Sequence, residues 1–210
     1  MKLISATPSP YARKVRIALA EKGIPFELVT EVPWNEDTSL PAFNPLEKLP
    51  VLILDDGGTV YESSYIMEWL ERRYPHPPLL PPDDDGILAH KKLEVLGNGI
   101  CDALLLVFFE RMRPLGTQSE PWMARQVRKA HGGLAEVARL IGDRRYAVGD
   151  RLGLGDIAVC SALGWMEVRF AELDWRALYP DLARYYDALS ERPSFRATVP
   201  YPQMISSAVV

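Results

Sequence analysis

The chain is poor in the residues that most often carry metal or covalent chemistry. Of its 210 residues only two are cysteine and three are histidine. Cys101 and Cys160 lie far apart in helix-like segments, with no CxxC pair and no histidine near them in sequence. They read as reduced core thiols of a cytosolic protein. His76, His90 and His131 show no ligand spacing, so no metal centre is expected. There is no GxSxG, and no histidine falls into a triad pattern, which leaves serine hydrolysis unsupported. Long apolar runs are missing too. Nothing approaches the ~18 residues needed to cross a bilayer, and the opening MKLISATPSP lacks the apolar core of a secretory leader. The expectation is a cytoplasmic protein that does not engage a membrane. Nor is there a block of one charge. The 24 Lys and Arg are scattered among 28 Asp and Glu, for a net charge of −4, so no face is set up to read phosphates and nucleic acid is not expected as a partner.

What the chain does have falls into two stretches of different rhythm. In residues 1–74 strands and helices mix. KLISAT reads as a strand. Ser9 at the N-cap and Pro10 at the first helical position start a helix to about Lys22, which Gly23 and Pro25 end. FELVTEV is a second strand, and PWNEDTSLPAFNPLEKLP reads as loop. VLIL and TVYE flank the turn signal DDGG as a hairpin. Ser63 then caps a helix in which Ile66, Trp69 and Leu70 keep helical spacing. Residues 75–86, PHPPLLPPDDDG, hold five prolines and three aspartates and read as a stiff, extended, exposed linker. Everything from 87 to 210 reads helical. Leu96, Ile100, Leu104 and Val107 form one stripe, and Met123, Val127, Ala130, Leu134, Val137 and Ile141 form another. DIAVCSALGWM is apolar nearly all round and predicts a central buried helix. LARYYDALSERPSF predicts a last helix, broken near Pro193. The layout is an α/β domain over 1–74, a linker over 75–86 and an all-α domain over 87–210.

Four pieces, SPYARKVRIALAEKGIPFE, NPLEKLPVL, YESSYIMEWLE and the helical stretch holding GLGDIAV and ERPSF, occur in an order and spacing that resemble the cytosolic glutathione S-transferase family. The likeness covers essentially the whole chain and is to the bacterial, serine-type members. It implies a thioredoxin-like N-terminal domain, an all-helical C-terminal domain and a homodimer. It also implies glutathione as co-substrate, no metal, and detoxifying attack on a small apolar electrophile.

In serine-type members a serine at the start of the first helix, four residues before an arginine, donates to the glutathione sulfur. Ser9 and Arg13 keep that spacing. The energetics fit. Lowering a thiol pKa by two units takes roughly 2.7 kcal/mol of preference for the anion. A helix N-terminus offers about 0.3–1 kcal/mol, and a hydrogen bond to a charged acceptor about 1.5–3 kcal/mol. Together they reach the target. The plain alternative is that Ser9 only caps its helix. Thr7 is the reserve hydroxyl, and Tyr11 ranks lower because tyrosine-type classes carry theirs nearer the end of the first strand. Serine in place of cysteine excludes thiol–disulfide exchange at this position.

The resemblance also implies a cis peptide before Pro50, with the backbone of Leu49 pairing with the cysteinyl part of glutathione. Otherwise Pro50 is a trans proline opening a strand. Lys48 would meet the glycyl carboxylate, although Glu47 stands beside it where many members have glycine. Ser63, at a helix start, suits the γ-glutamyl carboxylate, and Glu62 the neighbouring ammonium. Tyr11, Phe108, Met112 and Trp165 are candidates for an electrophile pocket, each equally readable as core. Trp34 could close over the tripeptide, and Asp102 could reach across a dimer. Asp156, at the third position of its helix, reads as structural, bonding back toward Gly153. Two other readings stay open. One is a glutathione-dependent isomerase or dehalogenase, although SPYAR lacks the longer Ser/Cys run of the zeta-type isomerases. The other is a non-catalytic interaction protein like the stringent starvation proteins.

Overall fold

The computed structural model describes residues 1–207 and 209. Four short strands form one mixed sheet in the order β2-β1-β3-β4: β1 Lys2–Ser5, β2 Glu27–Thr30, β3 Val51–Ile53 and β4 Thr59–Tyr61. β1 runs parallel to β2 and antiparallel to β3, with Leu3 opposite both Leu28 and Leu52. The parallel pair needs a crossover, and α1 (Pro10–Glu21) supplies it. Side chains alternate across the sheet. Leu3, Leu52 and Val60 face α1 and α2 (Ser63–Arg73) in the main core, whereas Ile4 and Val51 meet Leu40 on the other face.

The helical half holds α3 (Asp84–Met112), α4 (Glu120–Ile141), α5 (Leu154–Arg169), α6 (Trp175–Leu178), α7 (Pro180–Ser190) and α8 (Pro193–Arg196). α5 is the axis predicted from DIAVCSALGWM: every residue from Leu154 to Met166 is buried. Its start is fixed by Asp156, whose carboxylate accepts from Gly153 N and Ala147 N, each at 2.8 Å, and from the Tyr185 hydroxyl at 2.5 Å. Burial pushes the Asp156 carboxyl up, and these three donors work against that rise. Among the described residues no helix is long and apolar enough to cross a membrane, and no group of three metal-ligating side chains gathers.

Three expectations are corrected. The proline-rich segment, although mostly exposed, is not a free spacer. Lys22 Nζ donates to the carbonyls of Tyr74 and Pro77 at 2.8 and 2.9 Å, Leu79 is buried, and its carbonyl accepts from Leu154 N at 2.8 Å. Its last residues, Asp84–Gly86, already belong to α3, because Asp83 caps that helix by accepting from Gly86 N at 2.7 Å. Second, Ser63 does not cap α2; Glu62 does, one residue earlier. Third, the helical half does not stay helical. From Thr198 to Ser207 the chain runs as an irregular tail against the sheet half.

The halves are joined by buried polar contacts from α1. Lys14 Nζ meets Glu94 of α3 at 2.8 Å with both side chains almost wholly buried. Burial opposes charge on Glu94, yet Lys14 and Lys91 hold its carboxyl below the usual range. Arg13 Nη1 donates to the carbonyl of Cys160 in α5 at 3.3 Å. At the other end of α1, Glu21 takes Arg192 at 2.7 and 2.9 Å.

Candidate active site

A cavity of about 390 Å³ opens between the two halves. Its sheet side is made by the start of α1 (Ser9, Pro10, Tyr11), by Lys48 and Leu49 ahead of β3, and by Glu62 and Ser63 where β4 meets α2. The opposite wall is Asp102, Leu105 and Phe108 from α3 with Trp165 and Arg169 from α5. Trp34 and the tail residues Gln203 and Ile205 form the rim.

Ser9 is the N-cap of α1, its backbone extended and its Oγ accepting from Ala12 N at 3.2 Å. A hydroxyl has one proton to give and two lone pairs. Capping uses a lone pair and leaves the proton, so the cap and a donor role toward the cavity are compatible. Thr7 has no such freedom. It does not line the cavity, and its hydroxyl donates to the Tyr201 carbonyl at 3.2 Å. Tyr11 lines the cavity, but its hydroxyl donates to the Asp102 carboxylate. Burial, the neighbouring Cys101 and Asp102 push the Tyr11 phenol far above its ordinary range.

The Leu49–Pro50 bond is cis. Pro50 itself is buried and does not line the cavity, whereas Leu46, Glu47, Lys48 and Leu49 just ahead of it do. Asn44, almost fully buried, braces this loop by donating to the Lys48 carbonyl at 2.7 Å and accepting from Leu46 N at 2.9 Å. Glu47 has φ +54, a left-handed conformation that glycine adopts more easily. That is a backbone reason for the glycine of other members at this place. Lys48 has no ion pair among the described residues.

Glu62, at φ +69, turns its carboxylate onto its own helix. It accepts from Ser64 N at 3.1 Å, from Tyr65 N at 3.3 Å and from Ser63 Oγ at 3.1 Å. The charge that was expected to meet a ligand ammonium is therefore also the cap of α2. Phe108 and Trp165 stand on the helical wall as expected. Met112 does not; it is the last residue of α3, a turn beyond Phe108, exposed and outside the lining. Asp102 accepts the Tyr11 hydroxyl of its own chain and stays exposed at the cavity. Trp34 packs edge-on against Phe109, ring centres 4.4 Å apart.

Sequence reasoning missed Asn44, Arg169 and the tail. Arg169 ends α5 and resembles any basic residue at a helix C-terminus. The tail gave no periodic signal, yet Gln203 Nε2 donates to the Glu31 carbonyl at 3.2 Å and Ser206 N to Asn35 Oδ1 at 2.9 Å. Only Asn44 had a trace, an Asn-Pro step inside a loop.

A small mixed sheet carrying a cis-proline loop and two helix starts, closed by a helical bundle, defines a thioredoxin-like fold joined to an all-α partner. The family model for the glutathione S-transferase N-terminal domain matches residues 8–73, and that for the C-terminal domain matches residues 120–188. A glutathione S-transferase from Methylobacterium radiotolerans JCM 2831, solved in complex with glutathione sulfonate, is 65% identical with TM-score 0.98, over 100% of this chain and 99% of that one. One from Methylobacillus flagellatus KT with glutathione bound is 39% identical with TM-score 0.91, over 95% and 98%. An uncharacterized GST-like protein, YibF, of Escherichia coli K12 is 36% identical over 95% of this chain and 98% of its own. The maleylacetoacetate isomerase of Pseudomonas aeruginosa is 31% identical over 97% of each. The chain belongs to the glutathione S-transferase family.

Proposed function

We propose that the protein is a glutathione transferase in which Ser9 stabilises the thiolate of glutathione for attack on a small electrophile. One observation carries the reading: Ser9, Leu49 and the Glu62–Ser63 turn converge on one cavity that faces an apolar wall. The glutathione and glutathione sulfonate held by the two related structures support it.

In this mechanism Leu49 pairs its backbone with the cysteinyl residue, and Lys48 meets the glycyl carboxylate. The start of α2 at Ser63 receives the γ-glutamyl carboxylate, with Glu62 beside the ammonium. The sulfur then lies at the start of α1, where the Ser9 proton and the helix N-terminus favour its anion. The thiolate forms an S–C bond with the electrophile. A halide leaves with the bonding pair, or in a conjugate addition the displaced pair takes a proton from water. Conjugation of this kind is a detoxifying reaction. Reduced, buried Cys101 and Cys160 fit a cytoplasmic setting, and a homodimer is the assembly this reading includes.

The test is calorimetric titration with glutathione, thiolate absorbance of the bound tripeptide against pH, and conjugation of 1-chloro-2,4-dinitrobenzene. Saturable binding and a bound thiol pKa below that of free glutathione are expected. If Ser9→Ala keeps both the rate and the bound-thiol pKa, the mechanism is lost. A second reading, isomerisation through a transient glutathione adduct, is favoured by the similarity to the Pseudomonas isomerase. Turnover of a cis-alkene diacid without net consumption of glutathione would select it.

A further inference from the structure

The cavity is lined by five charged side chains: Glu47, Lys48, Glu62, Asp102 and Arg169. Asp102 takes the Tyr11 hydroxyl and Glu62 caps α2. Glu47 and Lys48 stand side by side on the sheet side, where the tripeptide's glycyl end is assigned. Arg169 is left over. It lies on the far wall with Phe108 and Trp165, and no carboxylate comes within ion-pair distance of it among the described residues. Several other arginines of the helical half are paired. Arg111 has Glu172, Arg176 has Glu167 and Asp187, and Arg192 has Glu21.

Arg169 is nonetheless held in position. Its guanidinium lies over the Phe108 ring at 4.9 Å, and Nη2 makes one long hydrogen bond, 3.4 Å, to the carbonyl of Gln203 in the tail. Stacking on a ring face leaves the edges of the guanidinium open, and those edges are the fork that grips a carboxylate. Partial burial lowers the Arg169 pKa, as fits a poorly hydrated guanidinium, and an arginine keeps its charge in a protein. An unpaired charge at an apolar wall gains more from an arriving anion than a solvated one does.

We propose that Arg169 is the specificity-determining residue of the electrophile half, and that its preferred electrophiles are flat, unsaturated or aromatic molecules bearing a carboxylate. The ring or alkene packs on Phe108 and Trp165 while the carboxylate takes the Arg169 fork in place of the single carbonyl of Gln203. This rests on the glutathione transferase reading for which half of the cavity holds the tripeptide.

The experiment compares two glutathione adducts as ligands, made from 4-chloro-3,5-dinitrobenzoate and from its methyl ester. Binding is read by calorimetry and by tryptophan fluorescence. The same two electrophiles are then compared as substrates, each rate divided by its uncatalysed rate. The parent protein is expected to prefer the carboxylate in both assays. Arg169→Gln should shrink the carboxylate-over-ester preference roughly 10- to 100-fold, and Arg169→Lys should restore part of it. Circular dichroism and thermal melts establish that the variants are folded. Equal binding of the two adducts by the parent overturns the proposal. So does a preference that survives Arg169→Gln, or a loss of glutathione itself as large as the loss of the carboxylate adduct. If the adducts discriminate through Arg169 but neither electrophile turns over, this inference stands and the transferase reading falls.

Discussion

The two walls of the cavity are built by opposite means. On the sheet side most fixed polar groups are tied to a neighbour a few residues away, Ser9 to Ala12 N, Asn44 to the Lys48 carbonyl, Glu62 to Ser64 N and Tyr65 N, and Tyr11 alone reaches across to Asp102. On the helical side the lining comes from α3, α5 and the tail, which meet only in the folded chain. A wall of caps and turns is rigid and suits a ligand that never changes. A wall of separate side chains can change one residue at a time without disturbing a cap, which suits a variable co-substrate.

The largest break in this comparison should come from Ser9→Ala. It removes the donor to the sulfur together with the cap of α1. A roughly 100-fold fall in kcat/KM is expected, with about 1 kcal/mol lost from stability. Steady-state kinetics beside a denaturant melt separates the two effects. Next is Glu62→Gln, which keeps an acceptor for the start of α2 but loses the charge. KM for glutathione should rise about 10-fold while kcat holds, equivalent to about 1.4 kcal/mol; an unchanged KM would reduce Glu62 to a cap.

Trp34→Ala tests the rim that both walls share. Losing the edge-on contact with Phe109 should raise KM for an aromatic electrophile roughly 3- to 10-fold. Tyr11→Phe should do least, below about 3-fold in rate, because the hydroxyl already donates to Asp102. The Tyr11 phenol is held far above its ordinary range, so it stays protonated as pH rises through 10. The alkaline limb of the pH–rate profile should therefore be the same in the parent and in Tyr11→Phe.

The same contrast explains what could be read before folding. Ser9, the α1 stop at Gly23 and the Gly153–Asp156 start of α5 rest on contacts three to nine residues long, and local pattern carries such information. Even there the start of α2 was misplaced by one residue. A carboxylate at φ +69 that folds back on its own helix leaves no mark in a run of Glu-Ser-Ser. Met112 falls outside the lining because residue type does not say where a helix passes the edge of a cavity. The pinning of the proline-rich segment by Lys22 spans more than fifty residues, and the Arg169–Gln203 contact joins a helix end to an irregular tail. Neither has a periodic or motif signal.

The Lys14–Glu94 pair settles how this chain can be cut and joined. Withdrawing one partner of a buried ion pair typically costs about 3–5 kcal/mol, since the other is left charged in an apolar setting. Cleaving the gene between α2 and α3 does this to both fragments at once. It also bares the faces of α1 and α5 that Arg13 bridges. Recombination with a distant relative therefore succeeds when the lysine and the glutamate travel together, and exchange of substrate preference is easier by replacing wall residues than by transplanting a whole half.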